Sequence, residues 1–145
     1  MKRSRDRRFV LDNPDGLYDP SANAYSHVAV LLSDARLVFV AGQTGNMPKG
    51  DFKTQVRQAL TKIRVAMESA GGGLGDVAKL TVLSVHHDRD KHRDLINEVA
   101  AAFGEGLKPT CTIIPVPPMA YEGQLVEIEA IGALPMNSED HSPGS

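Results

Sequence analysis

The sequence has few of the residues on which several common protein classes depend. It contains one cysteine and no tryptophan, and aromatic residues make up only 5% of its 145 residues. One cysteine cannot form an intramolecular disulfide, so nothing in the sequence requires an oxidising compartment. Without tryptophan and with few other aromatic side chains there is no obvious platform for a sugar ring, which disfavours a glycosidase.

An excess of one charge and long hydrophobic runs are also missing. Lysine and arginine number 16 and aspartate and glutamate 18, giving a net charge of −2. Phosphate binding needs a strong basic field, so we do not expect nucleic acid as the main partner. No apolar run approaches the roughly 20 residues that span a bilayer, so no membrane association is expected. The basic N-terminal residues lead into Asp12 and Pro14 rather than an apolar stretch, so no export signal is read and we expect a cytoplasmic protein.

The residues that are present suit a single domain. Hydrophobic residues account for 41% and charged residues for 23%, which is ordinary for a globular protein. A chain of this length buries about 68–70% of its unfolded surface, enough for one core. We predict one domain over residues 17–135, a basic flexible segment over residues 1–16 and a disordered tail over residues 136–145.

The apolar pattern predicts the element order β-β-α-β-α-β-β. Turn residues separate the apolar runs 28–32 and 37–41, which indicates an antiparallel hairpin. Apolar residues recur every three or four positions behind Asp51, a suitable N-cap, and again before Gly104, which indicates two amphipathic helices. The remaining strands are predicted over residues 80–85, 110–116 and 125–134.

This order predicts an α+β sandwich with two helices on one face of a mixed sheet. The sequence offers no third layer for the other face of the sheet, and both late strands carry apolar residues on more than one face. An uncovered apolar sheet face is most simply buried against another copy of the chain. The sequence therefore predicts oligomerisation through the sheet.

Two glutamates on the last strand are candidates for proton chemistry. Glu127 and Glu129 lie two residues apart, so they point to the same face of a strand. That face could be solvated, or it could form a cleft in which desolvation raises a carboxyl pKa and suits it to proton transfer. The spacing alone leaves both interpretations open.

The histidines and the cysteine give weaker signals. His86, His87 and His92 lack the spacing of a helical zinc pair, so we interpret them as a solvated loop leading into a helix and expect no metal. His27 begins a strand and would ordinarily be a surface or partly buried histidine. Cys111 lies in an apolar strand, where cysteine is usually a small hydrophobe. A thiolate nucleophile would need a base or a positive field, and the sequence places neither next to it.

Six short segments, each weakly specific alone, follow one another along the chain at residues 24–27, 37–43, 55–60, 76–82, 108–110 and 126–130. Taken together and in this order, they resemble the RidA/YjgF family. The resemblance implies a chorismate-mutase-like fold and a homotrimer with a ligand cleft between neighbouring subunits. It also implies hydrolysis of reactive enamines and imines to a keto acid and ammonia, without a metal or organic cofactor.

The resemblance also implies roles for individual residues. Tyr25 matches the site tyrosine of the family, and Glu127 matches the glutamate that handles water. Gly42 lies in the matching Gly-Gln turn near the cleft. We therefore expect Tyr25 and Glu127 to be catalytic, and Gly42 and His27 to contact the substrate.

The chain departs from the family at Cys111. The deaminase branch has Pro-Ala-Arg-Ser, whose arginine holds the substrate carboxylate, whereas this chain has Cys111 in that place and no arginine after Arg93. An arginine–carboxylate pair is typically worth about 1.5–3 kcal/mol, so its loss would weaken handling of amino-acid imines by roughly 10- to 100-fold or more. A ligand of smaller charge, or a neutral one, should then be preferred.

Three functions remain open at this stage. The first is an enamine or imine hydrolase in which Cys111, Thr112 and Ile113 contact an altered substrate. The second is a trimer that binds a small metabolite without chemistry. The third is an enzyme that uses Cys111 as a nucleophile or redox centre, which would need a thiol pKa below the usual value of about 8.5.

Overall fold

A computed structural model describes residues 7–46 and 50–136. It confirms an α+β fold with two helices and a mixed sheet. The elements in chain order are β1 (Phe9–Asp12), β2 (Val28–Leu31), β3 (Ala35–Thr44), α1 (Phe52–Ser69), β4 (Val77–Val85), α2 (Arg89–Phe103), β5 (Thr110–Val116) and β6 (Val126–Pro135).

The main sheet has four strands in the order β3-β6-β4-β5. Strands β4 and β5 are parallel, and the other two pairs are antiparallel. Parallel neighbours need a long crossover, and α2 supplies it between β4 and β5. The two helices pack against each other, and their apolar faces form one core with the inward side chains of the sheet.

The predicted hairpin of residues 28–32 with 37–41 is wrong. Strand β2 pairs with β1 in a separate two-stranded sheet, with Phe9 opposite Leu31, while β3 pairs with β6. The reason lies in side-chain burial: Phe9 and Leu11 are 3% and 7% exposed and pack in a small cluster with Ala133. This burial favours the pairing of β2 with β1 over a local hairpin.

The same contacts correct the predicted flexible segment 1–16. Residues Phe9–Asp12 form an ordered strand, and the Arg7 guanidinium lies 4.9 Å from the centre of the Phe9 ring. Residues 1–6 and nearly all of the tail predicted over 136–145 lie outside the described residues, and the domain limits 17–135 stay a prediction.

Each helix begins directly after an aspartate whose side chain caps its first turn. The Asp51 carboxylate accepts a hydrogen bond from the Thr54 backbone N–H at 2.8 Å, as predicted for an N-cap, and Asp88 does the same for Lys91. Beyond α1, Gly71 has φ of +97°, a conformation that glycine adopts without a Cβ clash. Neither helix is long and apolar enough to cross a membrane.

A buried glutamine joins α1 to the start of β6. The Gln55 amide nitrogen donates to the carbonyls of Gly50 and Gly123 at 3.0 and 2.8 Å, and its oxygen accepts from the Leu125 N–H at 2.9 Å. A buried amide satisfied by three partners holds its surroundings firmly, since each lost bond would leave a desolvated group. This contact fixes the chain two residues before Glu127.

The face of the sheet away from the helices carries exposed apolar side chains and is largely uncovered in the described part of the chain. Leu37 and Phe39 on β3 are 52% and 72% exposed, and Ile114 on β5 is 42% exposed. The small β1–β2 sheet covers only the end of this face near Ala133. We call the surface formed by Leu37, Phe39 and Ile114 the open face. An apolar surface of this kind usually marks an interaction site.

Candidate functional site

A pocket of about 340 Å³ lies where α2 meets the edge strand β5. We call it the Tyr25 pocket. Tyr25 reaches this pocket because the next residue, Ser26, lies beside β5. The Ser26 N–H donates to the Pro109 carbonyl at 3.1 Å, and Ser26 forms an isolated β-bridge with Thr110. The pocket is also lined by Cys111, Thr112 and Ile113, which the sequence predicted to contact the substrate.

Aromatic contacts hold Tyr25 in place. The Tyr25 and Tyr18 hydroxyls are hydrogen-bonded, and the two rings meet edge to face with centroids 6.4 Å apart. His27 packs 5.1 Å from the Tyr18 ring, and its Nε2 lies 2.7 Å from the Tyr18 carbonyl oxygen. His27 is not among the residues that line the Tyr25 pocket and lies beside the two tyrosines, so its contact with a substrate stays a prediction.

The Cys111 side chain packs against the core beneath this pocket. Burial raises the pKa of the Cys111 thiol to about 11, because the thiolate loses its hydration, and the nearby Lys79 charge offsets only part of that cost. A thiol with this pKa is almost entirely protonated at neutral pH. The geometry therefore disfavours Cys111 as a nucleophile.

We expect the alkylation of Cys111 by iodoacetamide to be slow at pH 7 and to rise about tenfold with each unit of pH up to about pH 11. A raised pKa means that the neutral thiol is the stable form throughout the physiological range, so the thiolate fraction grows about tenfold per pH unit until the pH reaches the pKa. Initial rates from mass spectrometry across pH 6–11 would measure this, with glutathione as the control thiol. An apparent pKa below about 8.5 would contradict it.

A second depression, of about 160 Å³, lies on the sheet side facing away from the helices. Glu127 is half-buried there beside Leu83 and Ile114, whereas Glu129 on the same face is exposed. The Gln124 amide donates to one oxygen of Glu127 at 3.1 Å. We call this depression the Glu127 pocket.

Gly42 makes room for the Glu127 carboxylate. A Cβ added at Gly42 would lie 2.1 Å from the second carboxylate oxygen of Glu127, a distance that real Cβ atoms do not adopt. A glycine is therefore needed at this position for the carboxylate to lie where it does. The predicted turn glycine and the predicted glutamate are brought together by the pairing of β3 with β6.

Tyr25 and Glu127 do not line the same pocket in this chain. Alternation along β5 directs Cys111 and Ile113 toward the helices and Ile114 toward the open face. The two pockets therefore lie on opposite sides of the edge strand. The two residues predicted to be catalytic are thus placed in two separate pockets.

Sequence reasoning missed a histidine that lines the Tyr25 pocket. His92 lies at the pocket wall, and its Nδ1 is 3.3 Å from Nε2 of His87, whose Nδ1 is 2.8 Å from the Ser84 hydroxyl. Burial and the neighbouring His92 lower the pKa of His87. The only available signal was the cluster of histidines, which we had interpreted as a solvated loop. In the described ranges no group of three or more metal-ligating side chains comes together.

Fold and site together define a two-layer α+β protein with a half-buried carboxylate on an uncovered sheet. The family model described as Endoribonuclease L-PSP matches residues 18–134. The chain therefore belongs to the RidA/YjgF family, as the six segments had indicated.

Curated relatives agree with this assignment. A RutC family protein of Pyrococcus horikoshii is 40% identical over 107 residues, which cover 69% of this chain and 81% of the relative. A RutC family protein of Pyrococcus abyssi is 37% identical over 101 residues, which cover 65% and 76% of the two chains.

Solved structures share the fold. A YjgF-family protein of Mycobacterium tuberculosis superposes with a TM-score of 0.61 at 31% identity, covering 87% of this chain and 99% of that one. The Rid-family protein YyfB of Yersinia pestis, described as of unknown function, gives a TM-score of 0.81 at 23% identity over 88% and 99% of the two chains. At that identity the second match supports the fold alone.

Proposed function

We propose that the protein is a RidA-like hydrolase that converts a reactive enamine or imine metabolite to a carbonyl compound and ammonia. The observation that carries this proposal is the Glu127 carboxylate, which Gly42 admits and Gln124 orients beside apolar side chains. A carboxylate positioned in such surroundings is suited to moving a proton to and from water. Tyr25 orients the substrate.

The proposed chemistry balances without a cofactor. An enamine first tautomerises to its imine. Water then adds its oxygen to the imine carbon, the C=N π electrons move to nitrogen, and Glu127 takes a proton from the water and returns it to nitrogen. Glu127 then moves the hydroxyl proton of this adduct to nitrogen, the C–N bond breaks as the oxygen electrons form the C=O bond, and ammonia leaves. The protein supplies position and proton transfer.

We further propose that three subunits assemble through the open face into a homotrimer, which would act in the cytoplasm. The exposed Leu37, Phe39 and Ile114 side chains support this, since a monomer would leave them in water. The Glu127 pocket lies on this face and the Tyr25 pocket beyond its edge strand. Assembly would then join the Glu127 half-site of one subunit to the Tyr25 half-site of a neighbour.

The substrate is expected to be small and to carry less negative charge than an amino-acid imine. No lysine or arginine is found among the described residues that line the Tyr25 pocket, and Leu95, Ile96 and Val99 form an apolar wall. A carboxylate entering this pocket would lose hydration without gaining an ion pair. Cys111 therefore shifts the preference toward neutral or less charged imines.

We expect Cys111→Arg to raise ammonia release from 2-aminoacrylate by roughly 10- to 100-fold, because it restores a charge-assisted partner for the carboxylate. A coupled ammonia assay would measure this in the unaltered protein and the variant, with Cys111→Met as the control for added bulk without charge. Thermal melting would check the fold of each variant. Equal rates in the arginine and methionine variants would contradict the proposed role of position 111.

The alternative function is a trimer that binds a metabolite without chemistry. The apolar wall of the Tyr25 pocket and its lack of a basic residue among the described lining favour it. Saturable binding with no ammonia release from any imine would establish it, and turnover of one imine would exclude it. RNA cleavage, which the family description names, is not favoured by a net charge of −2 or by few aromatic residues.

A further inference from the structure

A hydrogen-bonded chain of three side chains leads from the sheet to the wall of the Tyr25 pocket. Ser84 is fully buried on β4, and its hydroxyl meets Nδ1 of His87 at 2.8 Å. Nε2 of His87 meets Nδ1 of His92 at 3.3 Å, and the two imidazole rings stack edge to face with centroids 5.4 Å apart. His92 lines the pocket. We call these residues the Ser84–His92 chain.

The start of α2 is held by several contacts outside the Ser84–His92 chain. Asp88 caps the helix, and the Lys91 ammonium bonds the carbonyls of Val85 and His86 at 2.5 and 3.2 Å. His86 makes the turn with φ of +48°, and its side chain is exposed. The helix cap and the Lys91 contacts therefore do not involve the side chains of His87 and His92.

The chain leaves one imidazole nitrogen available to a ligand. Both ring nitrogens of His87 are engaged, and Nδ1 of His92 is engaged, so Nε2 of His92 is the remaining group. If His87 donates to Ser84, neutral His92 offers Nε2 as an acceptor. If the Ser84 hydroxyl donates instead, Nε2 of His87 donates to Nδ1 of His92, and Nε2 of His92 then carries a proton and is a donor. Nε2 of His92 can therefore bind either a donor or an acceptor of a ligand.

We propose that His92 is the specificity-determining residue of the Tyr25 pocket and that His87 is its positioning residue. In this assignment Nε2 of His92 hydrogen-bonds the polar head of a small carbonyl or imine compound, while the short aliphatic part packs on Leu95 and Val99. The identity of the ligand rests on the proposed function, but its binding does not require turnover. An imidazole in place of the missing arginine would let the pocket recognise a polar head group by a hydrogen bond rather than by a permanent positive charge.

The test compares variants that keep one side or the other of the His92 ring, with the neutral carbonyl compound 2-oxobutanamide as the probe. His92→Asn places an amide near Nδ1 and keeps the contact with His87 but loses the pocket side. His92→Gln reaches the position of Nε2. His86→Asn is the matched control in the same loop, and asparagine tolerates its positive φ. The dissociation constants would come from NMR titration.

We expect His92→Asn to weaken binding of 2-oxobutanamide about 5- to 10-fold, the value of one lost hydrogen bond. His92→Gln should stay within about 3-fold of the unaltered protein, and His86→Asn should not differ from it. In the unaltered protein, side-chain ¹⁵N spectra should show the probe shifting Nε2 of His92 while the His86 ring signals stay in place. His87→Asn should alter the tautomer signature of His92.

Three outcomes would overturn the inference: no binding of the probe by the unaltered protein, equal weakening by His92→Asn and His86→Asn, or a His92 signal that ignores the probe. The ¹⁵N measurement needs no variant, so a failure of His92→Asn to fold would not prevent a decision. His92-dependent binding without ammonia release from any imine would support the inference while rejecting the hydrolase proposal. The two proposals can therefore fail separately.

Discussion

Replacing Glu127 by glutamine is expected to lower imine turnover by about 10²- to 10⁴-fold, the usual contribution of a positioned acid–base group. Glutamine has nearly the shape of glutamate and keeps an oxygen that can accept from Gln124. It cannot take a proton from water at neutral pH. The loss should therefore appear in kcat, measured as initial rates of ammonia release from the best imine substrate.

The neighbouring glutamate provides a matched control. Glu129 lies on the same strand and points to the same face, but it is exposed where Glu127 is half-buried. Glu129→Gln removes the same charge and should change turnover less than about 3-fold. Both variants should melt within a few degrees of the unaltered protein, because surface and half-exposed substitutions usually change stability little.

Gly42→Ala tests the same carboxylate from the opposite strand. The added Cβ would overlap the position of the Glu127 oxygen, so the carboxylate must turn away although its chemistry is intact. We expect a loss of turnover approaching that of Glu127→Gln. If Glu127→Gln and Glu129→Gln reduced turnover equally, Glu127 would act only through the charge of this face and the proposed mechanism would be wrong.

The element pattern was predictable because burial of the helices and central strands leaves a periodic trace in the sequence. Asp51 as a cap and the repeated apolar positions of α1 suffice for that helix. The partner of β2 was not predictable in this way. It depends on Phe9 meeting Ala133, more than a hundred residues away, and no local pattern reports such a contact.

Some residues of the candidate site were likewise predictable from the sequence and others were not. The family resemblance directed attention to Glu127, Gly42 and Tyr25, and the β3–β6 pairing brings the first two together. Gln124 gave no signal in the sequence, and His92 gave only that of a histidine cluster, because a turn glutamine and a loop-flanking histidine look like solvated surface until their partners are known. Side-chain partners across elements decide whether such residues have a role.

Replacing Phe39 by lysine is expected to convert the proposed trimer into monomers and to abolish turnover at micromolar protein concentration. Phe39 is 72% exposed at the open face, and burying a phenylalanine is worth about 1.5–3 kcal/mol. Each trimer contains this change three times, and each copy also places a charge in an apolar interface. Every 1.4 kcal/mol lost weakens assembly about tenfold, so the combined effect should exceed about 10⁴-fold.

Sedimentation velocity would measure the change as a shift from three times the chain mass of 15.6 kDa to that mass alone. Val65→Lys is the matched control, because Val65 is 60% exposed on α1, on the helical side of the sheet. It adds the same charge and removes a similar exposed apolar group, yet it should leave assembly and turnover intact. A Phe39→Lys monomer that kept full turnover would show that Glu127 and Tyr25 work without a neighbour. Loss of both properties would be the result expected if the half-sites on the two sides of β5 act only when a second subunit joins them.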